Sequence, residues 1–298
     1  MKKTTILRNL LGESGLLLVP NIYDCITARC AEAVGFKAVF MSGLAIRTAI
    51  FGVPDIGLAT ATESVNIMRY LSNSVNIPLL VDADDGYGNA LAAYQLTQAI
   101  IGVGVAGLFI DDQTNPSYCP GILGSMPKVV SRDVFFGKIG AVIEARNKLD
   151  KDFLVVARID AGSTLGIEEV LARAKGCIEL GVDVILPMSI PEASKYFVKK
   201  DKKTLKQFYK TIGAPEVLIW AGNELGFNAE DYEEAGAKMM VYGGPIDACV
   251  KAALAYLQEF HDTRVIPNVV PPEGPSWEYY NKLKGLDFWA KLEKKYVV

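Results

Sequence analysis

Eight short runs rich in Val, Ile and Leu punctuate the chain: "LLLVPN" 16–21, "AVFMSG" 38–43, "PLLVDAD" 78–84, "GLFIDD" 107–112, "FLVVARID" 153–160, "VILPMS" 184–189, "VLIWAGN" 217–223 and "KMMVYGG" 238–244. They are almost continuously apolar rather than alternating, which is the pattern of parallel strands covered on both faces. Helix-like segments lie between them, among them 24–35, 91–104, 131–149 and 167–181, several ending in the glycine that suits a left-handed cap. Eight strand-then-helix units predict an α/β fold, a (β/α)8 barrel, over residues 1–262. A doubly wound sheet is the alternative, but a Gly-rich dinucleotide loop does not follow the first strand. Residues 263–298 read as a Pro-rich linker and one amphipathic helix carrying Trp277, Tyr280, Leu283, Leu286 and Trp289. So much apolar surface on a terminal helix needs a partner, either the barrel's flank or a second subunit.

Composition removes several function classes. The 298 residues are 50% hydrophobic and 22% charged, with a formal net charge of −3, so there is no basic surface for nucleic acid; the lysines of 199–203 read as a solvated segment. No apolar stretch is long enough to span a bilayer, and Arg8, Asn9 and Glu13 interrupt any signal-peptide core. Five cysteines without a C-x-x-C pair suit a reducing, cytoplasmic setting, with Cys30, Cys177 and Cys249 read as buried helix thiols. The single histidine, His261, lies beyond the last barrel helix, which argues against imidazole bases, Ser-His-Asp triads and His-built zinc sites.

Barrel active sites are built at the C-terminal ends of the strands. There the chain places Asn21 and Asp24, Ser42 and Gly43, Asp82 and Asp84, Asp111 and Asp112, Arg158 and Asp160, Ser189, Asn223, Gly243 and Gly244. Asp82 and Asp84 are two apart in an expected strand, hence on one face and roughly 6.5–7 Å apart at ~3.3 Å per residue. Carboxylates crowded at the end of a core strand call for a cation, and an all-oxygen set favours Mg²⁺ or Mn²⁺ over zinc. Asp85 shapes the following turn or joins the site; Asp160 has a simpler reading as the partner of Arg158, and Asp112 as a turn or cap residue. A cation, carboxylates, an arginine and a cysteine are a set that stabilises an enolate.

The stretches "VPNIYDCITARCAEAVGFKAVFMSGL" (19–44), "GVPDIGLATATE" (52–63), "VDADDGYGN" (81–89), "FIDDQTNPSYC" (109–119) and "VARIDA" (156–161), in this order and spacing, resemble the isocitrate lyase/phosphoenolpyruvate mutase superfamily. The resemblance implies a Mg²⁺-dependent enzyme acting on a 2-oxo or 2-hydroxy acid, in a homo-oligomer (a dimer of dimers) whose C-terminal helix is swapped between subunits. It implies that Ser42, Gly43 and Leu44 bind substrate oxygens, that Asp82 and Asp84 hold the metal and its waters with Asp55 and Asp111 completing the shell, and that Arg158 binds the substrate carboxylate. Three departures stand out. Asp111-Asp112 replaces Glu-Asp. The lyases' Lys-Arg-Cys-Gly-His gating loop reads Ser117, Tyr118, Cys119, Pro120 and Gly121, keeping the cysteine that serves as general acid/base. Pro187-Met188 replaces Pro-Glu, and Glu224 matches a later lyase glutamate only loosely. A carbon–carbon lyase using Cys119 is the reading of first rank. Tyr118, Ile122, Leu123 and Met188 suggest a substrate with an apolar arm. Phosphonopyruvate or phosphoenolpyruvate mutase or hydrolase chemistry, oxaloacetate decarboxylation or hydrolysis, and a catalytically weak 2-oxo acid binder stand as alternatives.

Overall fold

The computed structural model describes residues 1–120, 122–124, 126–188, 202–213, 218–221, 227–268 and 276–297. All eight expected strands form: β1 Leu17–Ile22, β2 Val39–Met41, β3 Leu79–Asp82, β4 Gly107–Asp111, β5 Leu154–Ile159, β6 Val184–Pro187, β7 Leu218–Ala221 and β8 Met239–Tyr242. They pair in parallel in the order β6-β5-β4-β3-β2-β1-β8-β7, and β6 comes alongside β7, so the sheet curls round as a TIM-type barrel. The doubly wound alternative is thereby excluded.

Two apolar layers follow from the period of two along each strand. Outward-facing Val39, Leu79, Val81, Leu108, Ile110, Val155, Ala157 and Ile185 pack against the surrounding helices. Inward-facing Val19, Phe40, Leu80, Phe109, Leu154, Val156, Leu186 and Val241 fill the barrel, and Leu7 and Leu11 of α1 (Lys3–Gly12) join them beside Leu17 at the strands' N-terminal ends. Continuing the inward register by two residues at the other end gives Asn21, Ser42, Asp82, Asp111, Arg158 and Met188. Apolar filling therefore gives way to polar residues at the barrel's mouth, above a floor made by the Phe40 and Phe109 rings, whose centroids are 4.4 Å apart.

Helices begin where caps allow. Asp24 accepts from the Thr27 N–H at 2.7 Å to start α2 (Cys25–Val34), and Gly35 ends it in the left-handed region. After β2, Ser42 caps a short helix, α3 (Gly43–Ile46), which widens into a π-helical turn, Arg47–Phe51, before α4 (Ala61–Ser74).

The C-terminal region differs from expectation. In place of one amphipathic helix there are two, Ser276–Leu283 and Leu286–Tyr296, separated at Gly285, whose φ of 74° breaks helical continuity. Neither covers its aromatics: Trp277 is 72% and Trp289 62% exposed. The barrel's last helix, Ile246–Thr263, likewise buries none of its residues and exposes Leu254, Leu257 and Phe260. Cys249, expected to be buried, is exposed for this reason, while Cys177 is buried and Cys30 half-buried. Among the described residues no helix is long and apolar enough to cross a membrane.

Candidate active site

The acidic residues at the mouth divide into two sets. Asp85 is buried and closed by one cation: Lys138, from the helix Arg132–Leu149, reaches its Oδ2 at 3.0 Å and its carbonyl oxygen at 2.8 Å, and the Asn115 amide donates to Oδ1 at 3.0 Å. Asp112 is closed in the same manner by Arg173 at 3.1 Å and by the backbone N–H groups of Asp160 and Ala161. Burial nevertheless pushes the Asp112 carboxyl up to about 6, with Asp160 adding to it. These two are structural anchors for the turns after β3 and β4.

The second set surrounds two arginines. Arg158, inward on β5, lies 2.8 Å from Asp160 through Nε and donates to it through Nη2 at 3.2 Å; Gln113 donates to the same carboxylate at 3.2 Å. Asp82 ends β3 with its Oδ1 accepting from the Asp84 N–H at 3.1 Å. Asp84 is not on the strand. Its φ of 49° puts it in a left-handed turn, so the shared-face geometry expected for Asp82 and Asp84 is replaced by a tight loop in which the backbone of one bonds the side chain of the other. Asp111 is buried, with Oδ1 on the Gln113 N–H at 3.0 Å. Burial, then repulsion from Asp84, pushes the Asp82 carboxyl up to about 6 despite Arg158 and Arg47; Asp111 is raised well above the carboxylate range by burial, against the pull of Arg158. Asp55 is raised too, by burial, although Arg47 opposes it.

Arg47 is the functional-site residue that sequence reading missed. It is buried between Asp55, 2.8 Å from Nη1, and Asp84, which bonds Nη2. A single arginine within the apolar stretch "SGLAIRTAIFG" was the available signal. Gly43 is tied to it, since a Cβ there would run into Arg47 Nη1 and Asp82 Oδ2. Ser42 is buried at the α3 N-terminus with Oγ accepting from Ala45, Gly43 is buried beside it, and Leu44 is partly exposed.

The segment after β4 folds back toward this mouth. Cys119 donates its N–H to the Asp55 carbonyl at 3.1 Å, Tyr118 donates its N–H to Gln113 and its hydroxyl to the Met126 carbonyl, and Pro116 presses on Gly57, where a Cβ would collide. Cys119 is half-buried, and its thiol is raised by burial and next by Asp55, so at neutral pH it is protonated. Ile122 and Leu123 are exposed on the same segment, and Met188 packs on the barrel interior. His261 lies in the last turn of the barrel's last helix rather than beyond it, exposed beside Asp262. Gly121, Ser189, Asn223 and Glu224 lie outside the described residues.

The donor set fits a hard divalent cation. Asp82, Asp84 and Asp111 supply only oxygen, and two of the three are carboxylates whose charge the fold leaves undercompensated. Among the described residues no three acidic, histidine or cysteine side chains converge closely enough to enclose an ion by themselves. An ion that keeps most of its waters and takes one or two carboxylates, as Mg²⁺ does, suits such a site.

The family model for phosphoenolpyruvate phosphomutase matches residues 7–261 of the chain. The chain belongs to this family. It thereby falls within the isocitrate lyase/phosphoenolpyruvate mutase superfamily, whose relatives of this chain are lyases and mutases. The 2-methylisocitrate lyase of Aeropyrum pernix is 28% identical over 290 residues, spanning 95% of this chain and 88% of that protein. The chloroplastic carboxyvinyl-carboxyphosphonate phosphorylmutase of Arabidopsis thaliana is 31% identical over 304 residues, spanning 98% and 84%. Among solved structures, phosphonopyruvate hydrolase in complex with oxalate and Mg²⁺ superposes with a TM-score of 0.86 at 24% identity over 100% of both chains, which establishes the shared barrel of this phosphoenolpyruvate phosphomutase family member.

Proposed function

We propose that the protein is a Mg²⁺-dependent carbon–carbon lyase that cleaves a 2-hydroxy di- or tricarboxylic acid, of malate or methylisocitrate type, through an enolate. The observation that carries this reading is the undercompensated acid cluster, Asp82, Asp84 and Asp111, at the same mouth as Arg158 and a protonated cysteine, Cys119. Asp82, Asp84 and Asp111 would hold the ion and its waters, with Asp55 behind them. When bound, Mg²⁺ supplies positive charge against the enolate oxygen; the complex of phosphonopyruvate hydrolase with oxalate and Mg²⁺ supports that assignment.

The remaining steps fall to the chain's own groups. Arg158 binds a substrate carboxylate, and Ser42 with the backbone N–H groups of Gly43 and Leu44 orients the neighbouring oxygens. Breaking the carbon–carbon bond of a 2-hydroxy acid turns the hydroxyl carbon into a carbonyl as the hydroxyl proton passes to one of the carboxylates of the mouth, and leaves the bonding pair on the departing fragment as an enolate. The Cys119 thiol delivers the proton that quenches that carbon. Its raised proton affinity fits donation at neutral pH rather than abstraction. Tyr118, Ile122, Leu123 and Met188 favour a substrate with an apolar arm.

Phosphonopyruvate or phosphoenolpyruvate chemistry is the second reading, favoured by the 31% identity to a phosphorylmutase. The unpartnered aromatic faces of the last three helices support residues 263–298 as an oligomerisation region in a homo-oligomer, a dimer of dimers; five free thiols support a reducing, cytoplasmic setting. The test is to incubate the enzyme with 2-hydroxy- and 2-oxo-dicarboxylates, methylisocitrate and phosphonopyruvate, with Mg²⁺ and with chelator, and to follow masses. A 2-hydroxy acid splitting into two smaller acids only with Mg²⁺ is expected. Turnover of phosphonopyruvate alone, or cleavage indifferent to chelator, overturns the reading.

A further inference from the structure

One cation at the mouth is supplied by the chain itself. Arg47 is 1% exposed, at the start of the π-helical turn, a widened helix type that recurs at functional sites. Its guanidinium bridges two of the four acidic residues expected to surround a metal, Asp55 at 2.8 Å and Asp84. Tyr87 lies 3.5 Å from Nη2 and is held by Ser64 at 2.8 Å. Asp84 and Tyr87 have φ of 49° and 56°, two of only three non-glycine residues in the left-handed region among those described, and both point at Arg47. Strain of this kind persists where the surroundings over-determine it. Gly43 leaves the room that Arg47 Nη1 and Asp82 Oδ2 occupy on either side of it.

We propose that Arg47 is a resident counter-cation that takes Asp55 and the facing oxygen of Asp84 out of the set available to a divalent ion, so that Asp82, Asp111 and the other oxygen of Asp84 are left to hold it and its waters and its affinity is set by this guanidinium. The inference rests on the metal reading above and concerns a positioning residue, not a catalytic one. Its sign follows from charge. A fixed positive group a few ångströms from a dication disfavours it, and the effect is strong at the effective dielectric of a buried site, about 20. Removing the group both lifts that repulsion and frees two carboxylates. A purely structural clamp predicts the opposite, because its loss would loosen Asp84 and weaken binding.

The experiment is calorimetric titration of the full-length protein with MgCl₂ and MnCl₂, comparing wild type with Arg47→Met and Arg47→Lys. Expected are binding by Arg47→Met at least tenfold tighter than wild type and binding by Arg47→Lys within threefold of wild type. Equal or weaker binding by Arg47→Met overturns the inference while leaving the metal reading intact. Absence of saturable binding in all three proteins overturns the metal reading itself, and the inference with it. Should Arg47→Met not fold, wild-type crystals soaked in MnCl₂ decide: an anomalous peak at Asp82 and Asp111 with Arg47 still on Asp55 and Asp84 is expected. A peak ligated by Asp55 with Arg47 displaced, or no peak, contradicts the proposal.

Discussion

Asp85 and Asp82 are three residues apart, both at the end of β3, and they have opposite fates. Asp85 meets a buried lysine and an amide, so its charge is compensated within the fold. Asp82 shares its surroundings with Asp84, Asp55 and two arginines, and burial still leaves it proton-hungry at about 6. A contrast in partners also separates Asp112, anchored by Arg173 and two backbone N–H groups, from Asp111, whose carboxylate accepts from one backbone N–H, that of Gln113. The flank of the mouth is built for stability, and its centre holds charge that the folded chain alone does not neutralise. Centres of that kind are kept for a ligand.

Each set should respond to substitution in its own way, and four measurements probe the difference. Cys119→Ser should lower turnover by about 10²–10⁴, the usual worth of a positioned proton donor, with Mg²⁺ affinity and melting temperature unchanged; intact turnover would remove Cys119 from the chemistry. On the flank, Lys138→Met strands the Asp85 carboxylate without its cation and should cost about 3–5 kcal/mol in urea unfolding. A loss under 1 kcal/mol would mean that the flank is no anchor. The pH dependence of the centre has a definite sign. Because the Asp82 carboxyl sits near 6 and the Asp111 carboxyl is raised as well, protons compete with the ion, and calorimetry should show Mg²⁺ affinity falling as the pH drops through about 6, by tenfold or more per unit. The smallest effect concerns the exposed C-terminal helices. Trp277→Ser with Trp289→Ser should weaken self-association in analytical ultracentrifugation and leave the barrel's unfolding midpoint unchanged, since both residues are largely exposed.

Much of the fold was legible because parallel strands buried on both faces advertise themselves as apolar runs, and the inward register of Leu80 and Phe109 carries on into Asp82 and Asp111. Arg47 was not legible. Its role comes from a π-helical turn and two left-handed residues 37 and 40 positions away, and neither apolar periodicity nor strand-end position reports such geometry. The Asp82/Asp84 relation was read as strand alternation because nothing local marks where β3 gives way to its turn. The C-terminal helix was read as continuous because its aromatic spacing runs through Gly285, whose positive φ divides it.

The most direct measurement pairs one residue from each set. With metal removed, Asp82→Asn should relieve like-charge repulsion, raising the melting temperature by a few degrees while abolishing Mg²⁺-dependent turnover. Asp85→Asn should lower the melting temperature, because Lys138 loses its partner. A lower melting temperature for Asp82→Asn with turnover retained would contradict the division of the mouth into a stabilising flank and a ligand-holding centre.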